Sequence, residues 1–252
     1  MGGLLDRSTV VVPTVGRPSL DVLLDALAAA PGPRPAQLIV VDDRPDGVRL
    51  RPDRPGLPPV RVLRTGGGGP AGARNLGWRT ARTEWIAFLD DDVVPDPDWY
   101  RCLEADLADL DPDVAGSQGR VRVPLPADRR PTDWERGTAG LATSSWITAD
   151  LAYRRGALAA VGGFDERFPR AFREDSDLAL RVLDTGARLV RGRRTVTHPV
   201  RPADRWASVR VQAGNADDVL MRRLHGPGWR ERADAPLGRR PAHAVVTAAA
   251  VA

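Results

Sequence analysis

Lysine is absent from the sequence, so all 37 basic residues are arginine. This absence excludes a P-loop phosphate site, whose glycine-rich run ends in Gly-Lys-Ser or Gly-Lys-Thr. The four glycines at residues 66–69 are therefore interpreted as a flexible loop. We interpret the arginine bias first as a result of GC-rich coding, and the alternative is phosphate recognition by guanidinium groups.

Positive charge is not concentrated in any part of the sequence. The formal net charge is +4 at pH 7, with 37 basic and 33 acidic residues mixed along the chain. Nucleic-acid-binding proteins usually gather their basic residues on one face or arm. The charge pattern therefore argues against a nucleic acid as a partner.

Cysteine and long apolar runs are also scarce. The single cysteine, Cys102, excludes an internal disulfide, and residues 1–8 lack the apolar core of a signal peptide. No run reaches the roughly 18 to 20 apolar residues that span a bilayer, and the apolar residues 242–252 are too few. We expect a cytoplasmic protein, with peripheral association at the inner face of the membrane as the alternative.

Continuous apolar runs alternate with helical patterns in the first half of the chain. This order is typical of an α/β protein with a Rossmann-like, mostly parallel sheet and helices on both faces. In such sheets ligands bind beyond the carboxyl ends of the strands. The predicted strands span residues 8–13, 37–41, 60–63 and 85–89, and the predicted helices span residues 20–30, 71–81 and 98–110.

The second half of the chain is less regular. Polar composition without periodicity predicts a mobile loop at residues 124–137. Predicted strands span residues 114–123 (as a pair), 145–154 and 189–197, and predicted helices span residues 156–161, 176–185 and 207–224.

Three adjacent carboxylates, Asp90, Asp91 and Asp92, directly follow the strand pattern at residues 85–89. Such neighbours repel one another unless a cation compensates them. Mg²⁺ or Mn²⁺ prefers oxygen ligands and would also neutralise a diphosphate. The alternative is a solvated turn or a helix N-cap, since prolines follow at positions 95 and 97.

Two further acidic clusters lie at ends of predicted elements. Asp42 and Asp43 end the second strand, where a carboxylate can bind a base or ribose or can close an Asx-turn. Glu174 and Asp175 precede the helix at residues 176–185. A carboxylate there can act as a general base or simply cap the helix.

With these clusters and the motifs around them, the chain resembles the family 2 glycosyltransferases, which have the GT-A fold. The shared motifs occur in the family's order and cover roughly residues 9–198. They are VVVPT at residues 10–14 with Arg17 and Pro18, VVDD at 40–43, GPAGARNLG at 69–77, IAFLDDD at 86–92, VGGFDE at 161–166 and EDSDL at 174–178.

The resemblance implies roles for individual residues of the nucleotide-sugar site. Pro13, Thr14 and Asp43 would line the base and ribose pocket, with Arg74 nearby. Asp90 and Asp91 would also bind the nucleotide sugar, with Asp91 near the ribose or the sugar. Many relatives have Tyr-Asn after the Pro-Thr pair, where this chain has Val-Gly at residues 15–16, so aromatic stacking on the base is not expected from that position.

The resemblance also implies a metal site and a catalytic base. Asp90 and Asp92 would form the Asp-x-Asp metal element, with His198 as a third ligand or, alternatively, a surface-loop histidine. Asp175 would be the general base, with Glu174 beside it.

A strand lining the acceptor site is expected around Trp146 and Asp150, although core packing explains Trp146 equally well.

The predicted reaction is an inverting, divalent-metal-dependent transfer of one sugar from a nucleotide diphosphate sugar to a hydroxyl acceptor. That acceptor would be a glycan, a lipid-linked molecule or a small molecule. One alternative is a nucleotidyltransferase, although the activating lysine of that class cannot exist here. Another is a non-catalytic domain that binds nucleotide sugars. We predict a GT-A domain at residues 1–205 and a helical C-terminal appendage and tail at residues 206–252.

Overall fold

The computed structural model describes residues 3–203 and 214–235. These residues form one eight-stranded mixed sheet with helices on both of its faces. In chain order the elements are β1 (Ser8–Thr14), α1 (Ser19–Ala29), β2 (Gln37–Asp42), β3 (Val60–Arg64), α2 (Gly69–Thr80), β4 (Trp85–Leu89), β5 (Val94–Pro95), α3 (Trp99–Leu107), β6 (Val114–Arg122), α4 (Asp133–Ala139), β7 (Asp150–Arg154), α5 (Arg155–Ala160), α6 (Glu174–Leu183), β8 (Arg188–Thr197), α7 (Asn215–His225) and α8 (Trp229–Arg232).

The sheet order is β3-β2-β1-β4-β7-β6-β8-β5. Strands β3, β2, β1 and β4 are parallel to one another, and β7 runs antiparallel to both β4 and β6. Strands β6 and β8 pair in parallel, and the short β5 closes the order antiparallel to β8. The carboxyl ends of β1, β2 and β4 therefore lie at one edge of the sheet, which is where the sequence places its acidic clusters.

Alternating side chains of β1 serve two separate cores. Val10 and Val12 pack on the face covered by α1 and α3, whereas Val11 packs on the face covered by α2 and α6. The close approach of α2 requires Gly77, because a β-carbon there would lie 2.4 Å from Val11 Cγ1. Apolar residues on both faces explain why the strand reads as a continuous apolar run.

Three predicted elements differ from the structure. The pair of strands predicted at residues 114–123 is the single strand β6, Val114–Arg122. The predicted loop at residues 124–137 contains most of α4, which begins with a capping box between Thr132 and Glu135 and buries no residue. Only the last part of residues 145–154 is a strand, because Trp146 has a left-handed backbone with φ of +62°. Of the helix predicted at residues 207–224, residues 207–213 lie outside the described part, and α7 accounts for the rest.

Asn75 on α2 ties that helix to the loop at residues 162–166. Its Nδ2 donates to the carbonyl oxygen of Phe164 at 2.9 Å, and its Oδ1 accepts from the Phe164 amide at 2.9 Å. Gly163 lies directly beneath this contact with φ of +81°, and a β-carbon there would lie 2.5 Å from Asn75 Oδ1. The pair of glycines in the VGGFDE motif is therefore explained by backbone geometry and close approach.

We expect Gly163→Ala to lower the free energy of unfolding by about 1–3 kcal/mol more than Gly162→Ala, as measured by denaturant unfolding. Both glycines have positive φ, at +77° and +81°, but only Gly163 has side-chain atoms close to a built β-carbon. Gly162→Ala therefore controls for backbone strain alone. Equal losses in the two variants would show that the Asn75 contact does not limit this position.

Candidate active site

A cleft of about 1330 Å³ opens at the carboxyl edge of the sheet. This volume exceeds that of most small-molecule pockets, which suits a nucleotide sugar together with an acceptor. Its walls include the following residues predicted from the sequence: Pro13, Thr14, Asp43, Arg74, Asp90, Asp91, Asp92, Glu174, Asp175 and His198. Residues from motifs about 160 positions apart in the chain therefore line one cleft.

The buried guanidinium of Arg74 joins two of the acidic clusters. Its Nη2 donates to Asp90 Oδ1 at 2.7 Å, and its Nη1 donates to Glu174 Oε1 at 2.8 Å. Burial alone would lower the pKa of Arg74, but the carboxylates of Asp90 and Glu174 outweigh it and raise that pKa. Arg74 also lies over the Phe164 ring, 5.6 Å from its centroid. This cation–π contact helps to hold the guanidinium between the two acids.

Glu174 is buried and shares the charge of Arg74 with Asp90. Burial raises the pKa of Glu174 to about 8, with a further rise from Asp175 and an opposing effect of Arg74. Within the described residues, Glu174 Oε2 has no hydrogen-bond partner. The raised pKa corresponds to a protonated Glu174 at neutral pH, and a buried neutral carboxyl leaves one charge pair, between Arg74 and Asp90.

Asp175 begins α6 beside Glu174 and is half-buried on the wall of the cleft. The Ser176 amide donates to Asp175 Oδ1 at 2.7 Å and so orients the carboxylate. Burial raises the pKa of Asp175, and the Ser176 amide and the guanidinium of Arg74 partly oppose that rise. A carboxylate with a raised pKa is a stronger base than an ordinary aspartate.

Asp91 is almost fully buried and accepts hydrogen bonds from two residues beside the cleft. Thr14 Oγ1 donates to Asp91 Oδ2 at 2.6 Å, and Arg17 Nη1 donates to Asp91 Oδ1 at 2.8 Å. The end of β1 is thereby joined to the turn after β4. Arg17 belongs to the first shared motif, but no local pattern indicates that it pairs with this acid.

The two acids after β2 have different surroundings. Asp42 is buried against Arg44, whose Nε and Nη2 each donate to its carboxylate at 2.8 Å, and these bonds lower the pKa of Asp42. Asp43 lines the cleft and accepts a hydrogen bond from Thr65 Oγ1. Of these two acids, only Asp43 therefore lines the cleft, and its role in binding a base or ribose stays a prediction.

Asp92 and His198 are brought together, with 3.4 Å between Asp92 Oδ1 and His198 Nε2. Arg201 also approaches this carboxylate, with 3.3 Å from its Nε to Asp92 Oδ2. Burial raises the pKa of Asp92, as does the neighbouring Asp90 carboxylate, against the opposing effect of His198. The Asp92 carboxylate therefore faces one imidazole and one guanidinium in the structure.

The predicted three-ligand set of Asp90, Asp92 and His198 is not gathered in the structure. Asp90 is turned onto Arg74, and within residues 3–203 and 214–235 no three histidine, cysteine or acidic groups are arranged to hold a metal. The remaining pair does fit a metal. Carboxylate and imidazole are suitable ligands for Mn²⁺, and their 3.4 Å separation is close to the about 3 Å between neighbouring ligand atoms of an octahedral site.

Neither Trp146 nor Asp150 lines the cleft, so the expected acceptor role of these two residues does not fit the structure. Asp150 is fully buried and accepts from Trp99 Nε1 at 2.8 Å and from Arg194 Nε at 2.7 Å. Trp146 packs on the core beneath α2 and α6. The residues between them, Ile147, Thr148 and Ala149, face the cleft instead, because the left-handed backbone of Trp146 redirects the segment.

Several cleft residues were not predicted from the sequence. Trp134 on α4 lines the cleft and donates from its indole nitrogen to the carbonyl oxygen of Arg201 at 2.9 Å. From the C-terminal helices come Asn215, Asp218, Val219 and Arg230. No local motif marks these positions, and the division of the chain at residue 205 stays a prediction although α7 and α8 contribute to the cleft.

The sequence model of the family described as "Glycosyl transferase family 2" matches residues 9–161, which is more than half of the chain. The chain belongs to glycosyltransferase family 2. A curated relative, the pre-mycofactocin glycosyltransferase of Mycobacterium tuberculosis, is 33% identical over 134 residues, covering 48% of this chain and 28% of the relative. The chain therefore spans less than a third of the length of that relative.

Two solved glycosyltransferase structures have the same fold. The mannosyltransferase PcManGT from Pyrobaculum calidifontis, in complex with GDP-Man and Mn²⁺, superposes with a TM-score of 0.57 and 22% identity over 85% of this chain and 64% of that one. GalNAc-T7 with UDP, GalNAc and Mn²⁺ gives a TM-score of 0.55 and 16% identity over 77% and 44%. The predicted α/β architecture, a mostly parallel sheet flanked by helices in the GT-A arrangement, is confirmed.

We expect the free energy of unfolding of the native protein to fall, relative to that of Glu174→Gln, as pH rises from about 5 to about 8. The pKa of Glu174 is raised from 4.5 to about 8 on folding. The folded protein therefore keeps a proton that the unfolded chain has lost across this window. The amide of the variant cannot ionise, so denaturant unfolding of the two proteins at several pH values isolates this group. A difference that stays constant with pH would contradict the buried, protonated state.

Replacing His198 by alanine should raise the Mn²⁺ concentration needed for half-maximal nucleotide-sugar binding by about tenfold or more. The reason is that Asp92 loses its partner 3.4 Å away in the candidate metal pair. Calorimetric titration with MnCl₂ at fixed donor concentration measures the change. Asp96→Asn is the control, because Asp96 pairs with Arg122 outside the lining of the cleft. An unchanged titration would show that His198 does not bind the metal.

Proposed function

We propose that this protein transfers a single sugar from a nucleotide diphosphate sugar to a hydroxyl acceptor, with inversion at the anomeric carbon and dependence on a divalent metal. The observation that carries the proposal is the shared cleft of the acidic triplet after β4 and the carboxylate pair that begins α6. Arg74 bridges the two groups through Asp90 and Glu174. A donor held at one group would therefore present its sugar toward the other.

The donor side of the cleft is proposed to lie along the ends of β1, β2 and β4. Asp43 would accept hydrogen bonds from the base or ribose, beside Pro13 and Thr14. Support comes from the two fold neighbours, one of which is in complex with GDP-Man and the other with UDP, each with Mn²⁺. Mn²⁺ or Mg²⁺ held by Asp92 and His198, with Asp90 adjacent, would neutralise the leaving diphosphate.

Asp175 is proposed to take the proton of the acceptor hydroxyl. Its raised pKa favours proton transfer near neutral pH, and the Ser176 amide fixes one of its oxygens. A single displacement needs only this one carboxylate on the side opposite the leaving group, and the product is inverted. Glu174, held neutral against Arg74, would limit the negative charge beside the base.

The acceptor is proposed to enter between α4, the segment at residues 147–149 and the C-terminal helices. These walls present Trp134, Thr148, Phe172 and Asp218 to the cleft. Their mixture of aromatic and polar groups suits a hydroxylated molecule such as a glycan, the head of a lipid-linked glycan or a small glycoside. In the described residues, no helix has the length and apolar character needed to cross a membrane. A cytoplasmic location, free or at the inner face of the membrane, remains part of the proposal.

A panel of GDP-mannose, UDP-GalNAc and UDP-glucose, each with and without MnCl₂, tests the proposal. Binding is measured by calorimetry, and slow hydrolysis is measured by release of the nucleoside diphosphate. Metal-dependent binding with hydrolysis supports a glycosyltransferase. Binding without any hydrolysis or transfer would favour a non-catalytic nucleotide-sugar-binding domain, and release of pyrophosphate from a nucleoside triphosphate with a sugar phosphate would favour a nucleotidyltransferase.

Asp175→Asn should lower donor hydrolysis and sugar transfer by about 10²–10⁴-fold, because it keeps the shape of the side chain but removes its basicity. Metal-dependent donor binding and thermal stability should change little. The measurement is the initial rate of nucleoside diphosphate release at saturating donor and MnCl₂, with calorimetric binding beside it.

Asp165→Asn is the matched control for this variant. Asp165 lies outside the cleft lining and forms a turn with Arg167, whose amide donates to Asp165 Oδ1 at 2.9 Å. Its replacement should cost stability and leave the rate near that of the native protein. A normal rate for Asp175→Asn would move the base elsewhere, with Glu174 next in line, and unfolding of that variant would favour the capping interpretation.

A further inference from the structure

Arg173 has a strained backbone directly before the candidate base. It is the N-cap of α6 with φ of +75° and ψ of −15°, in the left-handed region. Residues other than glycine adopt this region only at a cost, and they keep it where surrounding contacts hold them. Because Arg173 sets the path by which the chain enters α6, whatever holds Arg173 also determines where Asp175 points.

The contacts that hold Arg173 come largely from the two C-terminal helices. Its Nε donates to Asp218 Oδ1 on α7 at 2.9 Å. Its guanidinium also lies over the rings of Phe172 and of Trp229 on α8, 4.4 Å and 5.0 Å from their centroids. The side chain is thus fixed by one charged hydrogen bond and two aromatic faces.

Asp218 is itself buried and tightly held. It accepts hydrogen bonds from Arg173 and from Arg230 on α8, and it forms part of the cleft wall. A buried carboxylate is stable only when its charge is fully compensated, so the two arginines and Asp218 must be positioned together. The match to the family model ends at residue 161, so Arg173, Asp218 and Arg230 all lie beyond the matched residues.

The C-terminal segment formed by α7, α8 and the residues just after α8 also contacts a second strained part of the cleft wall. Trp146, with φ of +62°, precedes the cleft-lining residues 147–149. Its neighbour Ser145 donates from Oγ to Asp234 Oδ2, just after α8, at 2.6 Å. Two left-handed residues on the acceptor side are therefore adjacent to contacts with the C-terminal helices, which indicates that these helices shape the site rather than merely cover it.

We propose that Asp218 is a positioning residue for the candidate catalytic base. By holding Arg173 in its left-handed conformation, Asp218 fixes the start of α6 and directs the Asp175 carboxylate into the cleft. This inference rests on the proposed function, in which Asp175 takes a proton from the attacking hydroxyl or water.

The test compares Asp218→Asn, Arg173→Ala, Arg173→Gly and the double variant Arg173→Gly/Asp218→Asn in the full chain. The readout is hydrolysis of the nucleotide sugar selected by the donor panel, at saturating MnCl₂, with separate kcat and KM. Asp218→Asn should lower kcat by about tenfold or more, since small misplacements of a catalytic group cost this much. KM for the donor should stay unchanged, because no donor-side residue is altered.

Glycine at position 173 separates positioning from general stability. It adopts φ of +75° without steric cost, so Arg173→Gly should keep more of the native kcat than Arg173→Ala. Once the arginine is gone, Asp218 has nothing to position, so the double variant should match Arg173→Gly alone. A merely structural role would instead give losses that add.

Asp184→Asn is the control, since Asp184 also joins α6 to α8, through Arg232, but lies at the opposite end of α6 from the base. It should leave kcat unchanged. The inference would be overturned if Asp218→Asn kept the native kcat. It would also be overturned if Asp218→Asn lowered kcat by the same factor in the native protein and in Arg173→Gly. If Asp218→Asn does not fold, equal kcat values for Arg173→Gly and Arg173→Ala would overturn it. Full activity of Asp175→Asn in the same assay would instead overturn the proposed function.

Discussion

The buried guanidinium of Arg74 is the interaction on which the site depends. It forms an ion pair with Asp90 after β4 and donates a hydrogen bond to the buried carboxyl group of Glu174 at the start of α6. An arginine suits this position because its planar fork reaches two carboxylates at once and stays charged when buried. The Phe164 ring beneath it connects the fork to the glycine-containing loop that Asn75 holds. The end of β4 and the start of α6, which line the cleft together, are thereby connected through one side chain.

A second buried arginine, Arg194, also joins two acidic side chains from different elements. Arg194 is fully buried and donates to Asp150 at 2.7 Å and to Asp106 at 3.1 Å, which joins α3, β7 and β8. Removing one member of such a network leaves an uncompensated buried charge, which is strongly destabilising. Asp150 therefore fixes the distal half of the sheet, and the segment around β7 contributes to the cleft only through residues 147–149, which precede the strand. The structure separates acids that stabilise the fold from acids that line the cleft, although both look alike in the sequence.

Most of the regular elements follow from local patterns. The valine-rich runs predicted β1 and β2 to within one residue, and the apolar run at residues 85–89 predicted β4 at its observed bounds. The helix α4 was missed because it buries nothing, so it has no apolar stripe, and its capping box was the only available signal. The strand expected from residue 145 begins at Asp150, because the backbone of Trp146 turns away in a conformation that residue type does not reveal.

The sequence by itself determined the alternation of strands and helices, the family and the set of acidic residues at the sheet edge, because apolar periodicity and short motifs are local properties. Only the tertiary structure decided which of those acids face the cleft. Asp42 is buried against Arg44 and does not line the cleft, whereas Asp43 does. It also decided that Asp218, about 40 residues beyond Asp175 in the chain, contacts the residue before Glu174. Such a contact depends on how α7 packs against α6, and packing between distant segments leaves no periodic signal in a single sequence.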